Sequence, residues 1–599
     1  MKKPVPGDTP VRNSPGSRKP ESVASCTFMR SGGQILVEHL RLNGTRRIFT
    51  VPGESFIAAL DALHDADGID VVVCRHEGAA TMMAEATARL SGPRRPAAGV
   101  AMVSRGPGLA NAMSGLHVAM QGATPLLLLV GLPQRAFEGR NGFQEVALTH
   151  LVGNFAKHAE TVRDTHRLPE ALLRALNIAH AGRPGPVVLG LPEDVLLGGA
   201  DIGDPPPLVR AEPAPAYDDM IRLADAIDAA EWPVILAGGR WTPEESRQLR
   251  SFAERLDLPV VATFRSQDVI DNRSVSYCGH AGISAPPKLR SALASADLVV
   301  AIGTHLDEIT TGGYDTVVVP QPRQKLVHIH PDAAAIGRNH VIHHAIVSTT
   351  ERFAQRLEDL CASIRPGMRQ RWSRLRSDMR AAYETSRKVR PSPGALRLEE
   401  VISHLDAALP DDAIITNGAG NYAAFLHRVF AYKQPLTQLA PLSGTMGYGL
   451  PAAIAAKLAH PDRVVVALAG DGCFQMVSQE LATAVQYGAA IIVIVANNAG
   501  LGSIRTAQER LFPGRVTATS LVNPDFAALA RAHGAEGCRV AQFDAFPDSL
   551  ERAHRSDGPF LIELTLDRAA LAPDLSLDDL RSRISGTLNK TEIKAPNNS

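Results

Sequence analysis

The stretch Val464–Asn498, VVVALAGDGCFQMVSQELATAVQYGAAIIVIVANN, contains two apolar runs separated by a more polar segment. The runs, Val464–Leu468 and Ile491–Val495, are rich in β-branched residues, which is typical of strands buried on both faces of a parallel sheet. The segment between them predicts a helix at Gln475–Tyr487. Strand, helix and strand form a β-α-β unit, so this stretch predicts an α/β fold with parallel strands.

Polar residues follow both predicted strands. Asp471 lies in a Gly-Asp-Gly turn after the first strand, and Asn498 follows the second. Parallel strands joined by a helix end at one edge of the sheet, so these side chains are expected to converge. With the backbone carbonyl of Gly500 they would offer three oxygen ligands, which suit Mg²⁺. A helix starting after Gly472 would add N–H groups that favour a diphosphate. For Gly-Asp-Gly alone, a capped helix and a polar loop remain the structural alternative.

The composition favours a small-molecule enzyme with several domains. A chain of 599 residues suggests three or four domains. Its 62 Lys and Arg residues balance 62 Asp and Glu residues, which indicates neither a nucleic-acid partner nor a membrane surface. The six cysteines are scattered, which predicts neither a disulfide framework nor a zinc site. No apolar run approaches the ~20 residues of a membrane span, and residues 1–26 lack the apolar core of a signal peptide. We therefore expect a cytoplasmic protein.

Strand and helix patterns alternate through three parts of the chain. Each part predicts an open parallel sheet with helices on both faces. The Pro-rich segment Asp204–Pro215 is typical of a linker, and Gln355–Arg390 predicts a charged helical connector. The expected organisation is a disordered tail (1–29), an N-terminal domain (30–198), a central domain (216–360), a C-terminal domain (390–572) and a mobile tail (573–599).

The Gly-Asp-Gly turn, the 24 residues that follow it and the Asn-Asn pair together resemble the signature of thiamine diphosphate enzymes. The resemblance extends over about residues 30–570 and includes the acetolactate (acetohydroxyacid) synthase large-subunit branch. It is carried by RHEGAA (75–80), SRGPGLANAMSGL (104–116), GFQE (142–145), GRPGPV (182–187) and GDGCFQM (470–476). It implies thiamine diphosphate and Mg²⁺ as cofactors, and a homodimer or homotetramer whose active sites lie at subunit interfaces.

The resemblance also implies roles for individual residues. Glu77, in the N-terminal pyrimidine-binding domain, would bind the aminopyrimidine of a cofactor whose diphosphate is held by the C-terminal domain of another subunit. Seen alone, Glu77 is a first-turn acid favoured by the helix dipole. The metal ligands implied are Asp471, Asn498 and Gly500. The cofactor-binding residues implied are Gly420, Asn421, Gly444, Met446, Gly472, Cys473 and Leu501.

The assignment of Met446 has a structural alternative, and the loop around Asn421 departs from two known patterns. Met446 would be the apolar wedge that bends the cofactor, although a lone Met is otherwise typical of core packing. The family's usual Gln-His is replaced by Asn421 and Tyr422 here. The Gly-Ala-Gly-Asn loop 418–421 lacks the full GxGxxG pattern with an acid about 20 residues on, which disfavours a nicotinamide dehydrogenase.

Substitutions near the implied substrate channel leave the acceptor open. Phe143 and Gln144 match positions that line this channel, and Gln144 is the second candidate catalytic residue. Four family residues are replaced: an arginine by Ile309, a tryptophan by Ala507, a lysine by Glu193 and an alanine by Leu109. These changes leave cofactor chemistry intact, and they put the acceptor and the binding of FAD in doubt.

The expected reaction is decarboxylation of a pyruvate-like 2-keto acid and transfer of the acyl anion equivalent to a carbonyl acceptor. A 2-keto acid decarboxylase is one alternative, but the histidines of that branch align with Val103 or with Gly122-Ala123. His117 and Gln121, one helical turn apart, could substitute, although a helical His is more often an ordinary hydrogen-bonded residue. Another acyl transferase or C–C lyase, and a non-catalytic homologue, complete the alternatives.

Overall fold

Three parallel sheets of six strands each build the chain. The structure is a computed structural model that describes residues 29–91, 98–365 and 369–592. Helices flank each sheet, so the predicted α/β architecture of three consecutive domains is confirmed. The predicted tail 1–29 lies outside the described residues apart from Met29. Among the described helices, none is both long and apolar enough to span a membrane.

The N-terminal sheet has the strand order β3-β2-β4-β5-β7-β6, and all its pairs are parallel. Its strands, with two short flanking ones, are β1 (Arg30–Ser31), β2 (Arg47–Thr50), β3 (Asp70–Val73), β4 (Gly99–Ser104), β5 (Leu126–Leu132), β6 (His158–Thr161), β7 (Pro186–Pro192) and β8 (Gly199–Ala200). Its helices are α1 (Gly32–Leu42), α2 (Ile57–His64), α3 (Glu77–Leu90), α4 (Arg105–Gln121), α5 (Leu148–Val152), α6 (Leu168–His180) and α7 (Glu193–Leu197). Strands β5 and β7 are buried along their whole length, as their continuous apolar sequences predict.

The central sheet has a different order, β11-β10-β9-β12-β13-β14, and is also parallel. Its strands are β9 (Pro233–Ala237), β10 (Val260–Ala262), β11 (Tyr277–His280), β12 (Leu298–Ile302), β13 (Lys325–His330) and β14 (His344–Val347). Its helices are α8 (Tyr217–Ala229), α9 (Pro243–Leu256), α10 (Pro287–Ser295), α11 (Thr350–Ala354), α12 (Leu357–Ser363) and α13 (Arg369–Arg387). The segment Gln355–Arg390, predicted as a charged helical connector, is largely helical, but Trp372 and Tyr383 of α13 are buried in the central core, so α13 also packs as part of that domain. The sequence hides this role because apolar side chains are sparse among the many arginines of α13.

The C-terminal sheet has the order β16-β15-β17-β18-β20-β19 and is parallel. Its strands, with a final two-stranded hairpin, are β15 (Ile414–Asn417), β16 (Gln438–Leu439), β17 (Val465–Gly470), β18 (Ile492–Asn497), β19 (Glu536–Val540), β20 (Phe560–Thr565), β21 (Ala570–Ala572) and β22 (Leu575–Ser576). Its helices are α14 (Leu398–Ala408), α15 (Asn421–Val429), α16 (Gly449–Ala459), α17 (Asp471–Gln475), α18 (Glu480–Gln486), α19 (Gly502–Leu511), α20 (Phe526–Ala532), α21 (Phe546–Arg555) and α22 (Leu577–Glu592).

The predicted helix Gln475–Tyr487 is wrong in its bounds. The chain becomes helical at Asp471, stops at Gln475 and restarts at Glu480. Between these helices the N–H of Val477 donates to the carbonyl of Phe474, and that of Glu480 donates to Val477. These i→i−3 bonds tighten the chain into turns. The apolar periodicity of the sequence continues through the break and therefore did not reveal it.

Of the mobile tail predicted over 573–599, residues 593–599 lie outside the described residues, and the part before them contains the helix α22. The apolar residues Leu577 and Leu580 pack with Leu571 of β21. Arg581 forms an ion pair with Glu509 of α19 at 2.6 Å, and Glu509 is fully buried. The polar composition of this segment concealed a helix that docks through few apolar side chains.

Candidate active site

The predicted metal and cofactor-binding residues all line one cavity of about 290 Å³ in the C-terminal domain. The cavity lies at the carboxyl edge of the sheet, beyond the adjacent strands β15, β17 and β18. This is the edge at which open α/β sheets bind their ligands. The residues that the structure brings together here are Gly420, Asn421, Gly444, Met446, Asp471, Gly472, Cys473, Asn498, Gly500 and Leu501.

Asp471 is the buried carboxylate of this cavity, with 3% of its surface exposed. Its Oδ1 accepts a hydrogen bond from the N–H of Gly472 at 2.8 Å. Its Oδ2 accepts from the N–H of Gly500 at 3.1 Å and from the side-chain amide of Asn523 at 2.8 Å. Burial raises the pKa of Asp471, while the hydrogen bond from Asn523 lowers it. The carboxylate is thus fixed in place, and the N–H of Gly472, expected to face a diphosphate, is instead used by Asp471.

Asn523 is a site residue that the sequence did not reveal. Its amide also donates to Oδ1 of Asn497 at 2.8 Å, and its own oxygen accepts from Gln475 at 2.7 Å. Asn523 therefore joins the ends of two strands from a loop far along the chain. The sequence offers only an Asn-Pro dipeptide there, which indicates a turn and nothing about a ligand.

The turn that contains Gly500 offers a backbone carbonyl oxygen that could bind a cation. Its flanking residues pair with the segment around Ser520: the N–H of Leu501 donates to Thr519, and that of Leu521 donates to Ala499. This pairing does not use the carbonyl of Gly500, which can therefore act as a metal ligand.

Asp471 also has acceptor capacity left for a cation. A carboxylate has about four lone-pair sites, and Oδ1 of Asp471 accepts one described hydrogen bond. One carboxylate, one amide and one carbonyl form a set of hard oxygen donors that fits Mg²⁺ completed by phosphate and water.

Such a donor set differs from a site built from several acidic or histidine side chains. Among the described residues, no group of three or more His, Cys, Asp or Glu side chains is placed to hold a metal ion. The candidate ligands Asp471 and Asn498 contribute one acid and one amide. They therefore fit a cation that arrives with an anionic cofactor.

Two helices begin at the cavity. Asn421 is the first residue of α15, and Gly502 is the first residue of α19; both line the cavity. The first N–H groups of a helix have no partner within the helix and attract anions. The amide of Asn421 donates to the hydroxyl of Thr506 at 3.1 Å, which connects the two helices. This wall of the cavity therefore favours a negatively charged group such as a diphosphate.

Tyr422 and Cys473 close the floor of the cavity. The tyrosine hydroxyl donates to Sγ of Cys473 at 3.3 Å, and the N–H of Gly447 donates to the same sulfur at 3.0 Å. Burial raises the pKa of Tyr422 well above its ordinary value, so it stays protonated. A Cβ at Gly470 would lie 2.9 Å from the tyrosine ring, so this position requires glycine.

Glu77 is at the start of α3, as predicted, and is half-buried. Its Oε2 accepts a hydrogen bond from the side-chain amide of Asn111 at 2.9 Å. The loop before it is held by the C-terminal domain, because the N–H of Arg75 donates to the carboxylate of Glu480 at 3.0 Å. Burial raises the pKa of Glu480, which is fully buried. Glu77 does not line the cavity around Asp471, so within one chain the structure does not bring it to the predicted metal site.

Gln144 lies at a separate, open cavity of about 1100 Å³ at the edge of the N-terminal sheet. Its carbonyl accepts from the N–H of Gly106 at 3.0 Å, and its neighbour Phe143 is 73% exposed. Arg105, which precedes Gly106, lies 5.6 Å from the Phe143 ring and forms an ion pair with Glu193. The carboxylate of Glu193 is therefore paired with an arginine in this chain.

The other substituted positions lie apart from the cavity around Asp471. Ala507 is exposed on α19, and Leu109 is fully buried in α4. Ile309 occupies a turn and accepts from the N–H of Gly312 at 3.2 Å. The ring of His117 packs edge-on against Phe155 with centroids 5.7 Å apart, as an ordinary helical histidine does.

Another cavity, of about 270 Å³, lies between the N-terminal and central domains. Its lining includes the glycines Gly239 and Gly303 and the side chains of Arg183, Arg240 and His330. These residues do not select a flavin over other ligands. This cavity therefore gives no support for FAD, whose binding the substitutions put in doubt.

Comparison with known proteins assigns each domain to one family. Residues 30–151 match "Thiamine pyrophosphate enzyme, N-terminal TPP binding domain", residues 220–357 match its central domain and residues 418–564 match its C-terminal TPP binding domain. The fold and the cavity around Asp471 agree with this match. The chain therefore belongs to the thiamine pyrophosphate enzyme family.

Curated relatives of the chain include acetolactate synthases. The acetolactate synthase large subunit of Parasynechococcus marenigrum is 31% identical to this chain, over 90% of this chain and 88% of the relative. The acetolactate synthase large subunit of Haemophilus influenzae is 29% identical to this chain, over 87% of this chain and 92% of the relative. The isozyme 2 large subunit of Escherichia coli is 28% identical, over 90% of this chain and 96% of the relative. The predicted resemblance to this branch is thus confirmed along almost the whole chain.

Proposed function

We propose that this protein uses thiamine diphosphate and Mg²⁺ to decarboxylate a pyruvate-like 2-keto acid and to transfer the acyl anion equivalent to a carbonyl acceptor, as in an acetolactate synthase. The observation that carries the proposal is the convergence of Asp471, Asn498 and Gly500 on a cavity flanked by two helix N-termini. The similarity to acetolactate synthase large subunits supports the same reaction class. A 2-keto acid decarboxylase, or another acyl transferase or C–C lyase of the family, is the alternative.

The C-terminal domain would hold the cofactor. Asp471, Asn498 and the carbonyl of Gly500 would bind Mg²⁺, and the N–H groups at the starts of α15 and α19 would bind the diphosphate. Gly444 and Met446, which line the same cavity, would contact the rest of the cofactor. When bound, thiamine diphosphate supplies a carbanion nucleophile and an electron sink for the loss of CO₂.

Glu77 would act on a cofactor held by another subunit. Asn111 donates to Oε2 of Glu77 and so fixes the carboxyl orientation, while Oε1 would hold or release the proton exchanged with the aminopyrimidine. Because Glu77 and Asp471 do not share a cavity within one chain, the proposal requires a homodimer or homotetramer with active sites between subunits. In this assembly residues 30–198 are the pyrimidine-binding domain and residues 390–572 the diphosphate-binding domain.

Carboligation is favoured over release of an aldehyde. Aldehyde release needs an acid that protonates the reacting carbon, and His117, the candidate for this role, packs against Phe155. His117 lines neither the cavity around Asp471 nor the open cavity around Gln144. The acyl group would then persist until a carbonyl acceptor arrives.

The acceptor would be larger or less acidic than a second pyruvate. Ile309 and Ala507 replace a cationic and a bulky residue of the family. The charge of Arg105 is neutralised by its ion pair with Glu193. A less cationic and wider pocket weakens selection for a small anion.

Product analysis tests this function. The protein is incubated with thiamine diphosphate, Mg²⁺ and pyruvate, with and without a panel of keto acids and aldehydes, and the products are identified by mass spectrometry. We expect coupled products that require an added acceptor. Acetaldehyde as the sole product across the panel would establish the decarboxylase alternative, and no conversion by a cofactor-loaded protein would favour a non-catalytic homologue.

A further inference from the structure

A buried arginine lies where the three domains meet. Arg265 follows β10 in the central domain, and only 4% of its surface is exposed. Its backbone has φ of +57°, a conformation that is costly for a residue with a side chain. Arg265 does not line the cavity around Asp471. Its strained backbone and its burial nevertheless require a reason.

The guanidinium of Arg265 joins two cofactor-binding segments of the C-terminal domain. One nitrogen, Nη1, donates to the carbonyl of Pro441, and Nη2 donates to the carbonyl of Gly418 at 3.2 Å. The carbonyl of Pro441 also accepts from the N–H of Gly444 at 3.0 Å. Gly418 begins the loop that continues to Gly420 and Asn421. One cation thus ties the turn of Gly444 to the loop of Asn421.

Arg89 extends this link to the N-terminal domain. Its Nη1 donates to the carbonyl of Ala440 at 2.8 Å, and its Nη2 donates to the carbonyl of Arg265 at 3.3 Å. Arg89 lies in the last turn of α3, the helix that begins with Glu77. The turn before Gly444 is therefore held by an arginine from each of the two other domains.

The buried charge of Arg265 indicates a role beyond packing, because burying a charged group costs free energy. Its described hydrogen bonds go to backbone carbonyls, its Nε is buried without a partner, and the ring of Phe264 lies 4.9 Å from its guanidinium carbon. Burial lowers the pKa of Arg265 to about 10, so the group stays charged at neutral pH. Burying a charge is costly, and an apolar side chain would fill the same space at lower cost. The fork of an arginine, in contrast, can fix two carbonyls at once.

We propose that Arg265 is a positioning residue for the cofactor, which it serves by fixing the Gly444 turn relative to the Gly418–Asn421 loop. This inference rests on the proposed function, because it assumes that thiamine diphosphate binds between these segments. Arg265 acts through Pro441 and Gly418 and does not touch the cofactor. The central domain thus contributes to cofactor binding without lining the cavity around Asp471.

The test compares Arg265→Met and Arg265→Lys with the control Arg240→Met. Arg240 lies at the same junction and donates to the carbonyl of Ala88 at 2.9 Å, away from both cofactor-binding segments. For each protein, titration calorimetry gives the Kd for thiamine diphosphate with Mg²⁺. NMR gives the rate at which the thiazolium C2 proton of the cofactor (C2–H) exchanges with solvent at saturating cofactor. Differential scanning calorimetry gives Tm.

We expect Arg265→Met to raise the Kd about tenfold or more and to slow exchange, because charged hydrogen bonds to both segments are lost. Arg265→Lys should be intermediate, since an ammonium group can reach one carbonyl at a time. Arg240→Met should lower Tm while its Kd stays within about twofold of wild type. If Arg265→Met does not fold, Arg265→Lys decides by the same measurements.

Two outcomes overturn the inference alone. One is a wild-type Kd and exchange rate in the Arg265 variants, whatever their Tm. The other is an equal rise in Kd in Arg240→Met, which would mark a general loosening of the junction. Failure of the wild-type protein to bind thiamine diphosphate would instead overturn the proposed function, and this inference with it.

Discussion

The side-chain amide of Asn523 donates to Oδ2 of Asp471 at 2.8 Å, and the same nitrogen donates to Asn497 at 2.8 Å. Asp471 follows β17 and Asn497 ends β18, so one amide spans the ends of two neighbouring strands. This leaves Oδ1 of Asp471, with its single described hydrogen bond, as the oxygen free to meet a cation. The cavity therefore owes its geometry to a loop residue as much as to the strands.

Asp471→Ala should abolish activity and binding of thiamine diphosphate with Mg²⁺. The substitution removes a metal ligand and leaves the diphosphate charge uncompensated. Calorimetry with Mg²⁺ present measures this loss. Asp567→Ala is the matched control, because Asp567 lines the same cavity but is exposed and accepts from the N–H of Ala569. Unchanged cofactor affinity in Asp471→Ala would refute the metal assignment.

Asn523→Ala should weaken binding of Mg²⁺ and thiamine diphosphate about tenfold. A buried hydrogen bond to a charged group contributes about 1.5–3 kcal/mol, and Asp471 would lose this bond and its fixed orientation. Gln475→Ala is the graded control, since Gln475 bonds to Asn523 on the side away from Asp471. We expect a smaller effect for Gln475→Ala in the same titration; equal effects would show that the loop as a whole, and not the amide, matters.

Glu77→Gln should keep the fold and the cofactor affinity while slowing C2–H exchange about 100-fold or more. A neutral amide cannot hold or release the proton at Oε1. NMR of the exchange rate at saturating thiamine diphosphate measures the effect. Exchange at the wild-type rate would remove Glu77 from the mechanism, and absence of exchange in the wild-type protein would favour a non-catalytic homologue.

His280→Gln should reduce the loss of stability in acid. Burial, with a smaller effect of the charge on Arg428, lowers the pKa of His280 from 6.5 to about 4. The unfolded state therefore binds more protons below pH 6.5, and the folded state loses stability as the pH falls from 6.5 towards 4. At pH 5 this amounts to about 2 kcal/mol, from about 1.36 kcal/mol per pH unit.

The measurement is the fall in Tm between pH 7 and pH 5. It should be smaller for His280→Gln than for wild type, because glutamine does not titrate and can still bond to Ser284, which lies 3.2 Å from Nε2. The exposed His64→Gln is the control and should follow wild type. An equal fall in all three proteins would contradict the prediction.

Local patterns in the sequence determined the three-domain α/β fold and the composition of the cavity. Apolar runs such as Val464–Leu468 identify buried parallel strands because a strand covered on both faces has no polar side. Strand connectivity then requires Asp471 and Asn498 to meet, because parallel strands end at one edge of their sheet. The fold class and the convergence of the candidate metal ligands could therefore be predicted from residues close together in sequence.

Tertiary structure alone decided which distant residues complete the cavity. Asn523 reaches Asp471 from 52 positions away, and Arg265 reaches Pro441 from 176 positions away. Asn523 lies in a loop whose Asn-Pro dipeptide predicts only a turn, and Arg265 follows β10 without a local pattern that predicts its contacts. The separation of Glu77 from Asp471 within one chain was equally a matter of domain packing, in which Glu480 holds the backbone of Arg75. Side-chain contacts between domains depend on how the sheets are placed against one another, and no local periodicity records that placement.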